Sequence, residues 1–146
     1  MACKYIFNGI EFKDKETFVK EFLTRRCSSV NWSNAIGVHI RRTDNKKSIQ
    51  GSPLESFLQT MREQPDAFFV IATDEKQVRE HIEKEFAGRS IFPALVLTRR
   101  TEEGMIQGVA DFFALTKCSK IYGSYWSSFS EIAAEYGAIP LEIAKP

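Results

Sequence analysis

The stretch Ile36-Gly-Val-His-Ile-Arg-Arg-Thr-Asp44 decides how this chain is read. Its first half is apolar and β-rich, and its second half is charged. A strand covered on both faces of a parallel sheet carries such an unbroken apolar run. The charged tail is then what the strand delivers at its carboxyl end. Along an extended segment His39 and Arg41 point to one face, and Val38, Ile40 and Arg42 to the other, because side chains alternate. An imidazole and a guanidinium converging on one point form an anion site: the planar fork matches phosphate oxygens and the imidazole adds a donor. The competing reading is that both arginines are surface residues closing ion pairs. Arg42, on the opposite face, is expected to be structural, paired with Asp44 or Asp74.

The rest of the chain alternates strands and helices around this segment. Ala35 to Ile40 is a strand, Pro53 to Glu63 a helix, and Ala67-Phe-Phe-Val-Ile-Ala72 a second buried strand. Glu75 to Phe86 reads as a charged amphipathic helix, Ile91 to Leu97 as a strand, and Glu102 to Lys117 as a helix with Met105, Ile106, Val109, Phe112 and Phe113 inward. Lys120 to Tyr125 is a strand, Ser127 to Tyr136 a helix and Ile139 to Ile143 a last short strand. Before this core, Asn8-Gly9 predicts a hairpin over residues 4 to 12. Asp14 then caps a helix running to Arg26. The fold class is α/β: a single Rossmann-like three-layer domain with a mainly parallel sheet of about five strands. Residues 1–34 form an N-terminal hairpin and helix extension, and residues 35–143 the core.

Composition fits one domain. The chain has 146 residues, of which 43% are hydrophobic and 27% charged, enough for a core without staples. A net charge of +1 gives no field that favours nucleic acid or an anionic membrane. The pairs Arg25-Arg26 and Lys46-Lys47 read as solvated. Three cysteines without a CxxC pair and two histidines give no metal-ligand pattern, so no metal is expected. The start, Met-Ala-Cys-Lys-Tyr-Ile-Phe, has no signal-peptide character, and no apolar run suits a membrane span. The expected location is cytoplasmic.

Ligands of an open α/β sheet bind beyond the carboxyl ends of the strands. There the sequence places His39 to Asp44, then Thr73, Asp74 and Glu75, then Thr98 to Arg100, then Ser124, Tyr125, Trp126, Ser127 and Ser128. The segment Gly123-Ser-Tyr-Trp-Ser-Ser-Phe-Ser130 runs from a strand into a helix, and hydroxyls with free N–H groups at a helix start bind phosphate. The alternative is an ordinary N-cap with nothing bound. No GxGxxG follows a strand and no GxxxxGK[ST] occurs, which disfavours a nicotinamide cofactor or a P-loop triphosphate.

Ile36 to Asn45 resembles the first motif of the alpha-1,6-fucosyltransferases, their bacterial nodulation relatives and, more remotely, the protein O-fucosyltransferases. Val70-Ile-Ala-Thr-Asp-Glu75 resembles their second motif and Asp111 through Ser128 their third, in the same order, over about residues 35 to 143. The resemblance implies the donor half of a GT-B glycosyltransferase that binds a GDP-sugar, GDP-fucose, as donor and transfers it with inversion and without metal. His39 and Arg41 would hold the diphosphate, with Arg42 beside them in the motif. Asp111 would meet the guanine, Ser127 and Ser128 (with Ser124 in the same loop) would add hydrogen bonds, and Asp74 with Glu75 would shape the pocket floor. Arg41 and Asp44 would be the catalytic pair.

Two departures narrow this. The family's lysine after the motif-one aspartate and its acceptor base four residues later are here Asn45 and Ile49, leaving Asp44 or Glu55 as candidate bases. The family also has two Rossmann-like halves, whereas this chain supplies one, so a partner chain or homodimer mate would complete the cleft for a carbohydrate acceptor. A non-catalytic nucleotide-sugar-binding module is the alternative. A flavodoxin- or receiver-like protein-interaction domain centred on Asp74 ranks last.

Overall fold

Ala35–Ile40 forms the central strand, β1, of a five-stranded parallel sheet, and each of its residues is buried. The structure is a computed structural model that describes residues 12–43, 45–94 and 101–146. Helix α1 (Phe12–Arg26) and a 3-10 turn (Trp32–Asn34) precede β1. After it come α2 (Lys46–Gly51), α3 (Leu54–Arg62), β2 (Phe68–Thr73), α4 (Lys76–Glu85) and β3 (Ser90–Ile91). Then follow α5 (Glu102–Lys117), β4 (Lys120–Gly123), α6 (Ser128–Gly137) and β5 (Leu141–Ile143). The strand order is β3-β2-β1-β4-β5, with all neighbours parallel. The chain moves outward from β1 through β2 to β3, then crosses back to place β4 on the other side of β1. The order therefore reverses between β1 and β4, the place beyond whose carboxyl edge ligands of an open α/β sheet bind.

The two faces are covered unequally. Val38, Ile40, Phe69 and Ile71 meet Phe57, Leu58 and Met61 of α3 and Val78 and Ile82 of α4. On the other face Ala35 and Val70 meet Val19 and Leu23 of α1 and Ala110 and Ala114 of α5. Ala72, Leu115 and Ile121 pack with Ala133 and Ala134 of α6. Each cluster removes apolar surface from water at about 25 cal/mol per Å². Helix α5 starts with Thr101 accepting from Gly104 N at 3.0 Å, has Glu102 and Glu103 in its first turn and Lys117 in its last. All three features suit the helix dipole.

Several sequence expectations are corrected. Most of the hairpin over residues 4 to 12 lies outside the described residues, and α1 begins at Phe12, so Asp14 sits inside the helix rather than capping it. Helix α2 has no sequence signature, because KKSIQG lacks apolar periodicity. Strand β3 stops at Ile91: Pro93 has no N–H to give a ladder. Residues 95–100, including Thr98, Arg99 and Arg100, are outside the described set. The fully buried stripe of α5 is Gly104, Gln107, Gly108, Ala110, Asp111, Ala114 and Leu115. The larger Met105, Ile106, Val109, Phe112 and Phe113 are partly buried on its flanks, against α1 and α6.

Cys27 and Cys118 are buried free thiols. Burial pushes the Cys118 thiol up to about 12 and raises Cys27 as well. A thiol whose folded pKa lies above its unfolded value contributes stability at low pH and loses it as pH rises from 9 towards 12. Native protein is thus expected to leave both thiols unreactive to a disulfide reagent at pH 8. Melting temperature should fall above pH 9, and fall less steeply in Cys118→Ala; identical slopes would contradict this.

Candidate functional site

At the carboxyl end of β1 the ladder stops, and two side chains replace it. Ser124, just past β4 and 1% exposed, donates its hydroxyl to His39 O at 2.9 Å and accepts from Arg41 N at 2.9 Å. This ties the ends of β1 and β4 together across the switch point. On the β2 side, Asp74 accepts from Arg42 N at 2.8 Å, from Thr43 Oγ1 at 2.9 Å and from the Arg41 guanidinium. Thr73 Oγ1 donates to Ile40 O at 2.9 Å. With Thr43 in the left-handed region at φ 32°, the chain turns sharply as it leaves the strand.

This turn changes the roles that alternation predicts. Arg41, not Arg42, pairs with Asp74, and the Arg41 side chain keeps 35% of its surface exposed. Arg42 is structural but closes no ion pair with Asp74: its guanidinium donates to Arg41 O at 3.1 Å and Ser52 O at 2.7 Å, 5.8 Å from the Phe57 ring. Burial pushes its pKa below the ordinary value, and Glu75 and Asp74 counter that in part. Arg42, Asp74 and Ser124 hold the loop through these contacts. Glu75 precedes α4 without a side-chain capping bond. Asp44 lies outside the described residues.

His39 is buried on the α6 side of the sheet, its ring 4.8 Å from that of Phe129 in the first turn of α6. Ser127, the N-cap of α6, makes no side-chain capping bond, and Ser128 is exposed. Ser130 is fully buried, and among the described residues its hydroxyl has no partner. Gly123 permits this approach, since a Cβ there would lie 2.5 Å from Ser130 Oγ. His39, Arg41 and the α6 N-terminus thus share one rim, where backbone N–H groups and cationic or donor side chains suit an anion. Asp111 stands apart on the β3 side: it is 1% exposed and accepts from Ala94 N at 3.0 Å.

Sequence reasoning missed the segment that props the opposite wall. Asn45 Oδ1 accepts from Ser48 N at 3.1 Å, capping α2, while its Nδ2 donates to Trp126 O at 3.1 Å. Ser48 Oγ donates to Tyr125 O, and Tyr125 N donates to Ser52 Oγ at 2.8 Å. Only the serines and the asparagine just after the motif hint at such a brace. Glu55, a candidate base, sits exposed on α3 in an ion pair with Arg62 at 2.7 Å. Among the described residues no cluster of His, Cys, Asp or Glu could hold a metal, at Asp74 or elsewhere. Surface depressions of about 320 and 300 Å³ lie away from this rim, on α1 and at the amino ends of β1 and β4. Neither gathers the polar groups described above.

No protein-family model matches the chain, and no curated protein matches it in sequence. Solved structures do. The NodZ alpha-1,6-fucosyltransferase co-crystallised with GDP is similar with a TM-score of 0.58 at 16% identity, over 83% of this chain and 40% of that one. Its form soaked with GDP-fucose scores 0.56 at 16% identity, and fucosyltransferase NodZ from Bradyrhizobium 0.56 at 15%, with the same coverage. The fold is fucosyltransferase-like. The chain spans 40% of the length of those enzymes, and at this identity the likeness establishes the fold alone.

Within that fucosyltransferase-like fold, Asp74 accepts from three donors of the loop, one a backbone N–H and one the partly exposed Arg41 guanidinium. Asp74→Ala is therefore expected to cost about 2–3 kcal/mol, since it strands a backbone N–H. Arg41→Ala should cost less, because the ion pairs of a partly exposed guanidinium contribute little and its loss strands no backbone N–H. Urea denaturation of the two variants checks the order, and the reverse order would refute this account of the loop.

Proposed function

We propose that the chain is the donor-binding domain of a fucosyltransferase-like glycosyltransferase of GT-B type, taking a GDP-sugar, GDP-fucose in the first instance. The observation that carries this is the placement of His39, Arg41 and the uncapped start of α6 at the carboxyl ends of β1 and β4, on either side of the switch point. It is supported by the likeness to an enzyme crystallised with GDP and GDP-fucose. In this reading Arg41, His39, Ser127 and Ser128 take the diphosphate, and Asp111 takes the guanine. Arg42, Asp74, Glu75 and Ser124 act through the shape of the loop. During transfer an acceptor hydroxyl attacks the anomeric carbon while the bond to the diphosphate breaks. The charge that develops on the departing GDP is stabilised by Arg41, His39 and the helix N–H groups, without a metal.

The acceptor proton needs a base. Asn45 and Ile49 cannot serve, Glu55 is engaged with Arg62, and Asp44 is left as the candidate on this chain. A partner chain or second copy that closes the cleft over a carbohydrate acceptor would supply another. The commitment of Asn45 to bracing its own loop favours a second reading, a nucleotide-sugar-binding module without transfer.

Calorimetry with GDP, GDP-fucose, GDP-mannose and UDP tests the shared core of both readings. GDP and its sugars are expected to bind in the presence of EDTA, and Arg41→Ala to weaken GDP by about 1.5–3 kcal/mol, the worth of a charge-assisted hydrogen bond. Absence of binding by every guanosine nucleotide would sink both. Release of fucose from GDP-fucose by the chain then separates the transferase from the module.

A further inference from the structure

Immediately before the N-cap of α6 the chain exposes two aromatic residues on a backbone that cannot move freely. Trp126 is 60% exposed and Tyr125 42% exposed, their ring centroids 5.5 Å apart and nearly perpendicular. Trp126 has φ 58°, a left-handed conformation that a bulky side chain adopts only when its surroundings enforce it. The enforcement is visible: Asn45 holds its carbonyl, and Ser48 and Ser52 hold both backbone groups of Tyr125. Gly51 lets α2 lie flush against Tyr125, whose Cβ would be 2.9 Å from any Cβ at that position. Lys47, from the same helix, places its ammonium 4.4 Å from the centre of the Trp126 ring.

An exposed indole fixed this way is not covering a core. Large apolar groups held out to water mark recognition surfaces. The C–H face of a pyranose ring carries partial positive charge and suits the negative face of an aromatic ring, while its rim of hydroxyls needs polar partners such as an ammonium. The position fits too. Ala94, whose N–H goes to the buried Asp111, lies past the end of β3, Arg41 past the end of β1, and the α6 N-terminus past the end of β4 with Trp126 next to it. An extended nucleotide-sugar with its base on the β3 side and its phosphates at the centre brings its sugar end to Trp126.

We infer that Trp126, with Tyr125 and Lys47, is a saccharide platform that stacks on a pyranose ring beside the diphosphate. The inference rests on the nucleotide-sugar reading for its placement, though the platform's own chemistry does not. Asn45 and Ile49 then belong to the platform's support, α2, rather than to proton transfer.

The chain has two tryptophans, so Trp32→Phe leaves Trp126 as the single reporter in the full chain. In that background GDP-fucose is expected to shift Trp126 emission and GDP to shift it little. Trp126→Asn keeps a residue that tolerates the left-handed backbone while removing the ring. It should weaken GDP-fucose about three- to tenfold and leave GDP within about twofold, with Trp126→Phe recovering most of the loss. A response only to cellotriose added to GDP-saturated protein would support the platform with an acceptor ring on it in place of the donor sugar. Equal loss of GDP and GDP-fucose in Trp126→Asn would overturn the proposal, because the ring would then serve the base or the loop. If GDP itself fails to bind, the nucleotide reading falls. The platform is then judged on methyl α-L-fucopyranoside and cellotriose, and silence of Trp126 towards both overturns it separately.

Discussion

A parallel strand that ends beside its neighbours leaves backbone groups with nothing to pair with, and this chain meets that constraint with two short side chains. Ser124 Oγ occupies the gap between β1 and β4, giving to His39 O and taking from Arg41 N. Asp74 reaches across from β2 and collects the next N–H, that of Arg42, with Thr43 and the Arg41 guanidinium. Buried backbone groups must be satisfied somewhere. Satisfying these from side chains of β2 and β4 fixes the exit of β1 to both neighbours at once. The direction of Arg41, the turn at Thr43 and the approach of residues 45–52 to the β4 loop all follow from it. The rim is therefore an extension of the sheet and not a loose loop laid over it.

What was legible in the sequence follows from which residues obey a period. The runs Phe68–Thr73 and Ala35–Ile40 read as buried strands because both faces of a parallel strand are covered. The split of His39 from Val38 and Ile40 also holds, with His39 against Phe129 and the other two in the α3–α4 core. Alternation fails one residue later. Arg41 and Arg42 lie beyond the ladder, where Ser124 and Asp74 set the backbone, so the expected partners are exchanged: Asp74 takes Arg41, and Arg42 turns to Ser52 O. A period describes a residue only while the element that generates it lasts. Helix α5 reads in part: its bounds and its large inward residues hold, but they are not its most buried ones. Its fully buried stripe includes Gly104, Gly108, Ala110 and Ala114, small residues that a hydrophobicity pattern underweights, while its large residues fill the flanks.

The site divides in the same way. His39 and the serines that open α6 were legible because strand ends and helix starts are where a doubly wound sheet gathers polar groups. The brace formed by Asn45, Ser48 and Ser52 was not, because it works through backbone atoms of Tyr125 and Trp126 some seventy or more positions away. No local pattern announces a contact of that range. Its function is geometric: it turns a short polar segment into a wall opposite the α6 N-terminus.

That wall gives the two positions that depart from the fucosyltransferase pattern a physical role of their own. Asn45 is both the cap of α2 and the tether of Trp126, so neither half of its amide is spare for chemistry. A lysine there would keep a donor for the Trp126 carbonyl and lose the acceptor that Ser48 N uses, loosening the helix that carries Lys47. The exchange of a charged pair for Asn45 and Ile49 therefore removes a candidate base from this rim and leaves a firmer, more apolar wall in its place.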